Sequence, residues 1–387
     1  MKRLLFVGQS LKVGGIERAL VEQLSVLDNS KYCVDLFLFS KSGAYLPLVS
    51  PNINVLEPPF LLHCAALTND EAKKRLSTFI VRSFLYFCSK IMGNRRLYSL
   101  LFMSVRRLKG YDVAISYFHD GGPSGLYYGC NLFVLRKVDA IKRVAWIHSD
   151  PFMMDACSKD NRAFYSKFDV IVNVSFTMKR KFDALNVVNE NRSKVVYNRC
   201  RVNEIEELSQ AYLAPDIGRI QIVTVGRLER NKSTMELLAI AKRLKENNRQ
   251  FVWYFIGKGG LQESASSFIR SNGLSGDIVF TGELANPYPY ILKADICVSG
   301  SVVETFGLSI LEAILLNTPV VALRYEAIEE IIKDSINGMI ADTFEDLFIK
   351  LSELLVDNHL LQAMKEKAHP LYDYNRLNHT QFKQVVE

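Results

Sequence analysis

The chain has 387 residues, 49% of them apolar and 23% charged, with a formal net charge of +7. That length predicts two or three domains, each able to bury its own core, and the composition is that of a globular chain and excludes a disordered one. Seven cysteines, odd in number and without CxxC or zinc spacing, exclude a disulfide framework and point to reduced, mostly buried thiols in a cytoplasmic setting. The basic, apolar start from Met1 to Gly8 is like a signal n-region, but its apolar run is too short and Gln9 ends it. No run of about 18 uncharged apolar residues occurs, so no membrane-spanning helix is expected.

Residues 4–7 read as a buried strand, 8–15 as a loop and 16–27 as an amphipathic helix. Gly14 and Gly15 would let the backbone approach a phosphate closely, although the loop is neither GxGxxG nor Walker A, and a tight strand-to-helix turn is the plain alternative. Residues 34–39 and 53–56 are further strands. Residues 73–109 carry ten Lys or Arg and no acid, interleaved with Phe79, Phe84, Tyr86, Phe87, Tyr98 and Phe102. One or two helices of this makeup, within 72–109, fit either an anionic membrane surface or a packed insert with snorkelling basic stems. No nucleic-acid reader motif accompanies the charge, so no nucleic-acid partner is expected.

Residues 112–116 and 143–147 are apolar strands, and the second runs into His148-Ser149-Asp150. Open α/β sheets place ligands just beyond the carboxyl ends of their strands. His148 is therefore a candidate site residue, Asp150 a candidate to orient it or to meet a second substrate, and His119-Asp120-Gly121-Gly122 a candidate neighbouring contact. Strands at 169–174 and 194–197 close the first half, and the polar, acidic residues 199–217 read as a linker. A second α/β unit follows: a strand at 220–225, a loop from Gly226 to Lys232, a helix at 233–245, a strand at 251–256 leading to Gly257, and a strand at 278–282 leading to Glu283 and Leu284. Residues 337–340 are a last strand, with helices at 344–355 and from 360 onward. Alternation of this kind on both sides of a linker predicts an α/β fold of two doubly wound sheets facing across a cleft.

The stretch 299–312 is the most informative. A strand at 296–298 passes through a small polar loop into a helix with Leu308, Leu311 and Leu315 at three- and four-residue spacing. The helix N-terminus offers unpaired N–H groups and partial positive charge to an anion such as a diphosphate. Glu304 on the loop and Glu312 on the helix, eight residues apart, can grip two ends of one ligand. Glu-x7-Glu is weak by itself, because acids near a helix start are common; the apolar run 318–322 and the two glycine loops elsewhere strengthen it.

Glu304-Thr-Phe-Gly-Leu-Ser-Ile-Leu-Glu312-Ala, followed by Asn-Thr-Pro-Val-Val-Ala, resembles the signature of retaining family 4 glycosyltransferases (glycosyl transferases group 1) of GT-B fold. Gly-Gly-x-Glu-Arg from Gly14 and the His148 position also resemble that family, while Arg199 stands where it usually has proline. The resemblance implies a Rossmann-like acceptor-side domain at 1–198, a linker at 199–217, a nucleotide-sugar-binding Rossmann-like domain at 218–365 and a final helix at 366–387 crossing back. It implies that Glu304, Thr305, Phe306, Gly307 and Leu308 face the donor sugar and diphosphate, and that Glu312 holds the ribose. Arg227 and Lys232, with Gly226 and Gly257 beside them, would meet the diphosphate; Glu283 and Leu284 would cradle the base through their backbone; Gly14 and Gly15 would face the phosphates and acceptor. His148 would bond a sugar hydroxyl or the leaving phosphate.

No Asp-x-Asp follows an apolar strand and no cluster has metal-ligand spacing, so no metal or other cofactor is expected, the nucleotide sugar being a substrate. The implied enzyme is a hexosyltransferase using a UDP-linked donor and a glycan or lipid-linked acceptor in capsule or lipopolysaccharide assembly, cytoplasmic or peripheral on the inner face of the plasma membrane. A nucleotide-sugar epimerase or hydrolase of the same fold, or a non-catalytic membrane-associated sugar-nucleotide-binding protein, are the alternatives.

Overall fold

Runs such as Leu4-Leu5-Phe6-Val7 and Phe251-Val252-Trp253-Tyr254-Phe255-Ile256 are apolar on both faces, as strands covered by helices on both sides must be. Both runs are buried throughout in the computed structural model, which describes residues 1–120, 125–154 and 158–387. In chain order the strands are β1 (Lys2–Gly8), β2 (Tyr32–Leu38), β3 (Asn54–Leu56), β4 (Leu108–Ser116), β5 (Val138–Ile147), β6 (Val170–Asn173) and β7 (Ser193–Val195). Then come β8 (Ile220–Val225), β9 (Phe251–Ile256), β10 (Ile278–Gly282), β11 (Ile296–Ser299), β12 (Val320–Leu323) and β13 (Met339–Ala341). They form a seven-stranded sheet ordered β3-β2-β1-β4-β5-β6-β7 and a six-stranded sheet ordered β10-β9-β8-β11-β12-β13. All neighbours pair in parallel, so the chain must cross over between them, mostly through helices. Both sheets reverse their winding direction at the centre, between β1 and β4 and between β8 and β11, which is where doubly wound folds bind ligands.

The chain divides into two compact units, one of residues 1–199 with 376–387, the other of residues 200–375. In the second, Leu237, Leu238, Ala241 and Leu244 of the helix Thr234–Glu246 and Leu347 and Leu351 of the helix Phe344–Leu354 share one core with Trp253, Phe255 and Val298. Burying each of the larger side chains contributes roughly 1.5–3 kcal/mol. In the first, the Phe37 and Phe133 rings stack at 4.5 Å, and Tyr98, fully buried, donates its hydroxyl to the Leu126 carbonyl at 2.7 Å.

Residues 199–217 are not a plain linker. They contain the helix Val202–Ser209, whose Ile205 is buried, and Asn286 donates to the Leu208 carbonyl at 2.7 Å while accepting the Tyr212 hydroxyl on its own carbonyl at 2.7 Å. Of the helix's acids, Glu206 and Glu207 are exposed and Glu204 is half-buried against Arg201. The unit boundary near the C-terminus falls inside the helix Tyr374–Val386, later than residue 366. Tyr374 belongs to the second unit, donating to the Glu330 carbonyl at 2.6 Å. Asn378 and Gln381 belong to the first, where Asn378 donates to the Tyr197 carbonyl at 2.7 Å and Gln381 accepts the Tyr197 N–H at 2.9 Å. The main chain at Tyr197, just before Asn198-Arg199, is thus held through both its N–H and its carbonyl without the proline.

The basic-aromatic segment is helical over Leu76–Met92 and Asn94–Leu101. The longer helix buries Thr78, Leu85 and Ser89 but leaves Leu76, Ile80, Phe84, Phe87 and Ile91 each more than half exposed. Those five recur every three or four residues, so they form one outward stripe. Among the described residues no helix is long and apolar enough to cross a membrane.

Candidate active site

Because β8 and β11 are neighbours, the loops leaving their carboxyl ends are brought together. The Val302 N–H donates to the Asn231 carbonyl at 3.2 Å, and across the same seam Lys232 Nζ pairs with Glu304 Oε1, which also accepts the Ser301 hydroxyl at 3.0 Å. Both charged side chains are 20% exposed, dry enough for the pair to be strong and open enough for an arriving anion to compete for the lysine. Gly307 then starts the helix Leu308–Leu315 with φ +98, and a Cβ there would lie 2.3 Å from Tyr325 Oη. Only glycine fits this position, since the tyrosine hydroxyl is fixed by donating to the Phe306 carbonyl at 3.1 Å. The Gly307 carbonyl accepts the Ile310 and Leu311 N–H groups at 3.1 Å each, so Leu308 and Ser309 are the helix positions whose N–H groups lack an intrahelical acceptor, a few residues after Glu304. The Phe306 ring is buried against Tyr374, centroids 5.9 Å apart, which leaves its backbone and not its side chain for a ligand. Thr305 and Leu308 are half-buried.

Glu312 lies beyond the first turn of the helix, buried, and accepts the Tyr288 hydroxyl at 3.1 Å. Burial and the nearby Glu312 charge push the Cys297 thiol up to about 12, so it stays protonated. The loops after β8, β9 and β10 run side by side: the Gly226 N–H donates to the Ile256 carbonyl at 3.0 Å and the Gly257 N–H to the Gly282 carbonyl at 2.9 Å. Gly257 has φ +147, and a Cβ there would meet the Gly226 carbonyl oxygen at 2.0 Å. Glu283, exposed, and Leu284, half-buried, follow directly. Arg227 shares the β8 loop with Lys232, but its side chain is 69% exposed and pairs with Glu229 at 2.9 Å. The structure therefore joins Lys232 to Glu304, sets Gly226, Arg227, Gly257, Glu283 and Leu284 on the carboxyl-end loops of the same sheet, and gives Glu312 a separate buried partner.

In the first unit Gly14 is extended, φ 177, and caps the helix Gly15–Ser25, while Gly15 is exposed. Burial pushes the Glu17 carboxyl in that first turn above the usual carboxylate range. His148 is buried between Tyr117, centroids 4.8 Å apart, and Trp146, 6.2 Å. His119, on the loop after β4, has its Nε2 2.9 Å from the Oγ of Ser149, the residue after His148. Burial drives the His148 pKa well below the ordinary imidazole value, helped by His119, and drives His119 down to about 4. Both rings are neutral at neutral pH, suited to bonding a hydroxyl and unsuited to acting as fixed cations.

Two of the sequence candidates have structural work instead. Asp150 pairs with Lys181 and accepts the Phe152 N–H at 2.9 Å, so it does not orient His148. Asp120 accepts the Gly129 N–H at 2.7 Å at the start of the helix Cys130–Lys137. Burial pushes its pKa up to about 7, against the pull of the Gly129, Asn131 and Cys130 N–H groups. Gly121 and Gly122 lie outside the described residues. Sequence reasoning missed Tyr288, Ser301 and Tyr325. Ser301 sits three residues before Glu304 inside the stretch already singled out, but Tyr288 reaches Glu312 from 24 residues away and no spacing announces it. Among the described residues no three His, Cys, Asp or Glu side chains gather as a metal cluster.

Residues 205–370 match the family model described as glycosyl transferases group 1. The lipopolysaccharide core biosynthesis glycosyltransferase LpsE of Rhizobium meliloti is 24% identical over 46% of this chain and 51% of its own. An uncharacterized 41.2 kDa protein in the cps region of Klebsiella pneumoniae is 24% identical over 70% of this chain and 76% of its own. The chain spans 31%, 51% and 59% of the length of the first three curated relatives it matches. The structure of Anabaena HepE in complex with UDP-glucose superposes with a TM-score of 0.70 at 17% identity, over 100% of this chain and 99% of that one. This chain thus has the two-sheet GT-B fold of glycosyltransferases, and residues 205–370 within it carry the glycosyl transferases group 1 pattern.

Proposed function

We propose that this protein is a retaining glycosyltransferase that moves a hexose from a UDP-linked donor to a glycan or lipid-linked acceptor during surface polysaccharide assembly. The observation that carries the proposal is the Lys232–Glu304 pair beside the helix N-terminus at Gly307 and Leu308, at the switch point of the unit that matches the family. A donor diphosphate entering there takes Lys232 from Glu304, gains the helix N–H groups and draws in the exposed Arg227 fork. Glu304, released, orients the sugar hydroxyls, Glu312 with Tyr288 holds the ribose, and the loops at Gly257 and at Glu283 and Leu284 receive the rest of the nucleotide. HepE, of the same fold, is solved with UDP-glucose, and LpsE is named for lipopolysaccharide core biosynthesis, which supports the donor and the pathway class.

In the reaction the anomeric C–O bond to the diphosphate breaks while the acceptor oxygen bonds to the anomeric carbon on the same face. The departing phosphate oxygen takes the acceptor proton, and the nucleoside diphosphate leaves with it. Lys232, Arg227 and the helix terminus stabilise the leaving charge without a divalent ion. Neutral His148 bonds a sugar hydroxyl or the leaving phosphate, and Gly14 and Gly15 face the phosphates and acceptor. Purified protein given UDP-hexoses with and without cell-extract or lipid-linked acceptors should release UDP only when acceptor is present, with the anomeric configuration kept. Acceptor-free epimer or free sugar would assign the protein to the epimerase or hydrolase class instead, and an inverted product or full activity of Glu312→Ala would overturn the mechanism.

A cytoplasmic, peripheral membrane location belongs to the same proposal. The stripe Leu76, Ile80, Phe84, Phe87, Ile91 is flanked by exposed Lys73, Lys74, Arg75 and Lys90, a pairing that suits an anionic lipid surface. Co-sedimentation with phosphatidylglycerol vesicles, and not with phosphatidylcholine vesicles, is expected, and Phe84→Glu with Phe87→Glu should weaken it at least tenfold, since burying each ring is worth roughly 1.5–3 kcal/mol.

A further inference from the structure

The first unit holds a second concentration of positive charge that the donor site does not use. A cavity of about 350 Å³ is lined by Arg95, Arg136, Arg143 and Lys167 together with Leu132, Leu135 and Phe164. Leu132 and Phe164 are buried and form an apolar floor; Arg95, Arg136 and Lys167 are exposed at the rim, and Arg143 is half-buried between them. No acid lines the cavity, and none of the four cations makes an ion pair among the described residues.

Ordinary structural roles account for part of this set. Arg136 sits in the last turn of the helix Cys130–Lys137, where a cation complements the helix dipole, and its Nη1 donates to Ser99 Oγ at 2.6 Å. Arg143 Nη2 reaches the Val138 carbonyl at 3.4 Å, and its backbone N–H, not its guanidinium, donates to the Asp169 carboxylate at 2.7 Å. These contacts leave the exposed Arg95 and Lys167 side-chain charges to solvent and leave Arg143 Nε buried without an acceptor. Buried donors without acceptors are uncommon and costly, and like charges gathered around one hollow repel each other.

The cavity is also remote from the carboxyl-end loops. Arg143 precedes His148 by five residues along β5, and Lys167 comes before β6 begins at Val170, so the hollow lies toward the amino ends of these strands. At about 3.3 Å per residue, Arg143 and His148 are separated by roughly 16 Å of strand.

We infer that this hollow is a binding site for a phosphorylated ligand, its phosphate or diphosphate held by Arg95, Arg136, Arg143 and Lys167 and its apolar portion resting on Leu132, Leu135 and Phe164. Guanidinium forks at three corners and an ammonium at the fourth match the several acceptor oxygens of such a group. The ligand is either the headgroup of an anionic lipid or a free phosphate compound.

Two probes distinguish these sources: inorganic pyrophosphate, and dihexanoyl phosphatidic acid below its micelle concentration. Titration calorimetry is run on the full chain carrying Lys232→Gln, so that binding at the loop after β8 is not counted. Arg136→Gln with Lys167→Gln, both exposed and expected to fold, should weaken binding roughly ten- to a hundredfold, and Arg143→Gln should do the same. Tighter binding of the lipid than of pyrophosphate identifies a headgroup; equal binding identifies a free phosphate compound. If neither probe binds, or if both bind unchanged to the Arg136→Gln, Lys167→Gln protein, the site does not exist.

Discussion

The two sheets share a strand order about their centres, but the carboxyl-end loops near those centres carry opposite chemistry. After β8 and β11 a lysine and a glutamate meet at the edge of solvent, next to a helix N-terminus. In the first unit the ends of β4 and β5, next to the switch point between β1 and β4, hold two imidazoles kept neutral by burial, a serine hydroxyl and the rings of Tyr117, Phe118 and Trp146. An ion pair that is only partly covered can exchange its partner for an incoming anion, whereas neutral, buried imidazoles can bond hydroxyls without attracting charge. One backbone plan thus carries side chains suited to an anionic ligand in one unit and to a neutral one in the other.

Removing the charge should break that contrast most severely. Lys232→Ala is expected to lower turnover about 10²- to 10³-fold, as loss of a preorganised charge-stabilising donor does elsewhere, with the folded state retained by circular dichroism. Turnover within a fewfold of wild type would mean that the Lys232–Glu304 pair only ties two loops together. Gly307→Ala tests the geometry beside the pair: with φ +98 and Tyr325 Oη in the way, it should destabilise the second unit by about 1–3 kcal/mol, read as a lower midpoint in urea. An unchanged midpoint would show that the loop can move aside. The smallest effect concerns the first unit. Because folded His119 titrates near 4 and unfolded His near about 6.5, only the unfolded state takes up protons between those values. The first unit keeps this contribution above about pH 6.5 and loses it as pH falls toward 4, on the order of 1–2 kcal/mol by about pH 5. His119→Gln should flatten that slope, and an unchanged slope would place the neutral-imidazole description in error.

Much of the fold could be read from local pattern. Strands β8, β9 and β10 match the runs read from the sequence end to end, and β9 shows the reason most clearly: a strand buried on both faces leaves an unbroken hydrophobic signature. β4 and β5 start earlier than expected, at Leu108 and Val138, because their amino ends carry Lys109, Asp139 and Lys142, which do not look like strand. Helix Val202–Ser209 was hidden in a segment whose acids and single proline look like a connector, since one short buried stripe around Ile205 is too little periodicity to announce itself. At the site, Glu304, Gly307 and Glu312 were legible because they share one continuous stretch. The sequence left the role of Asp150 open because its lysine partner is 31 residues away, and did not announce the contact of Asp120 because the helix start it binds lies about ten residues later.

By itself the sequence determined two α/β units, a glycine-started helix with one carboxylate on it and another on the loop before it, and a lysine and arginine on an earlier loop. Those follow from side-chain periodicity and from residue types that only certain backbone conformations accept, both of which are local properties. Tertiary structure decided which of them meet. Lys232 and Glu304, 72 residues apart, touch because β8 and β11 are adjacent in the sheet, whereas Arg227, five residues from Lys232, turns outward to Glu229. Sheet order is a global choice made by core packing, so no spacing rule along the chain encodes it.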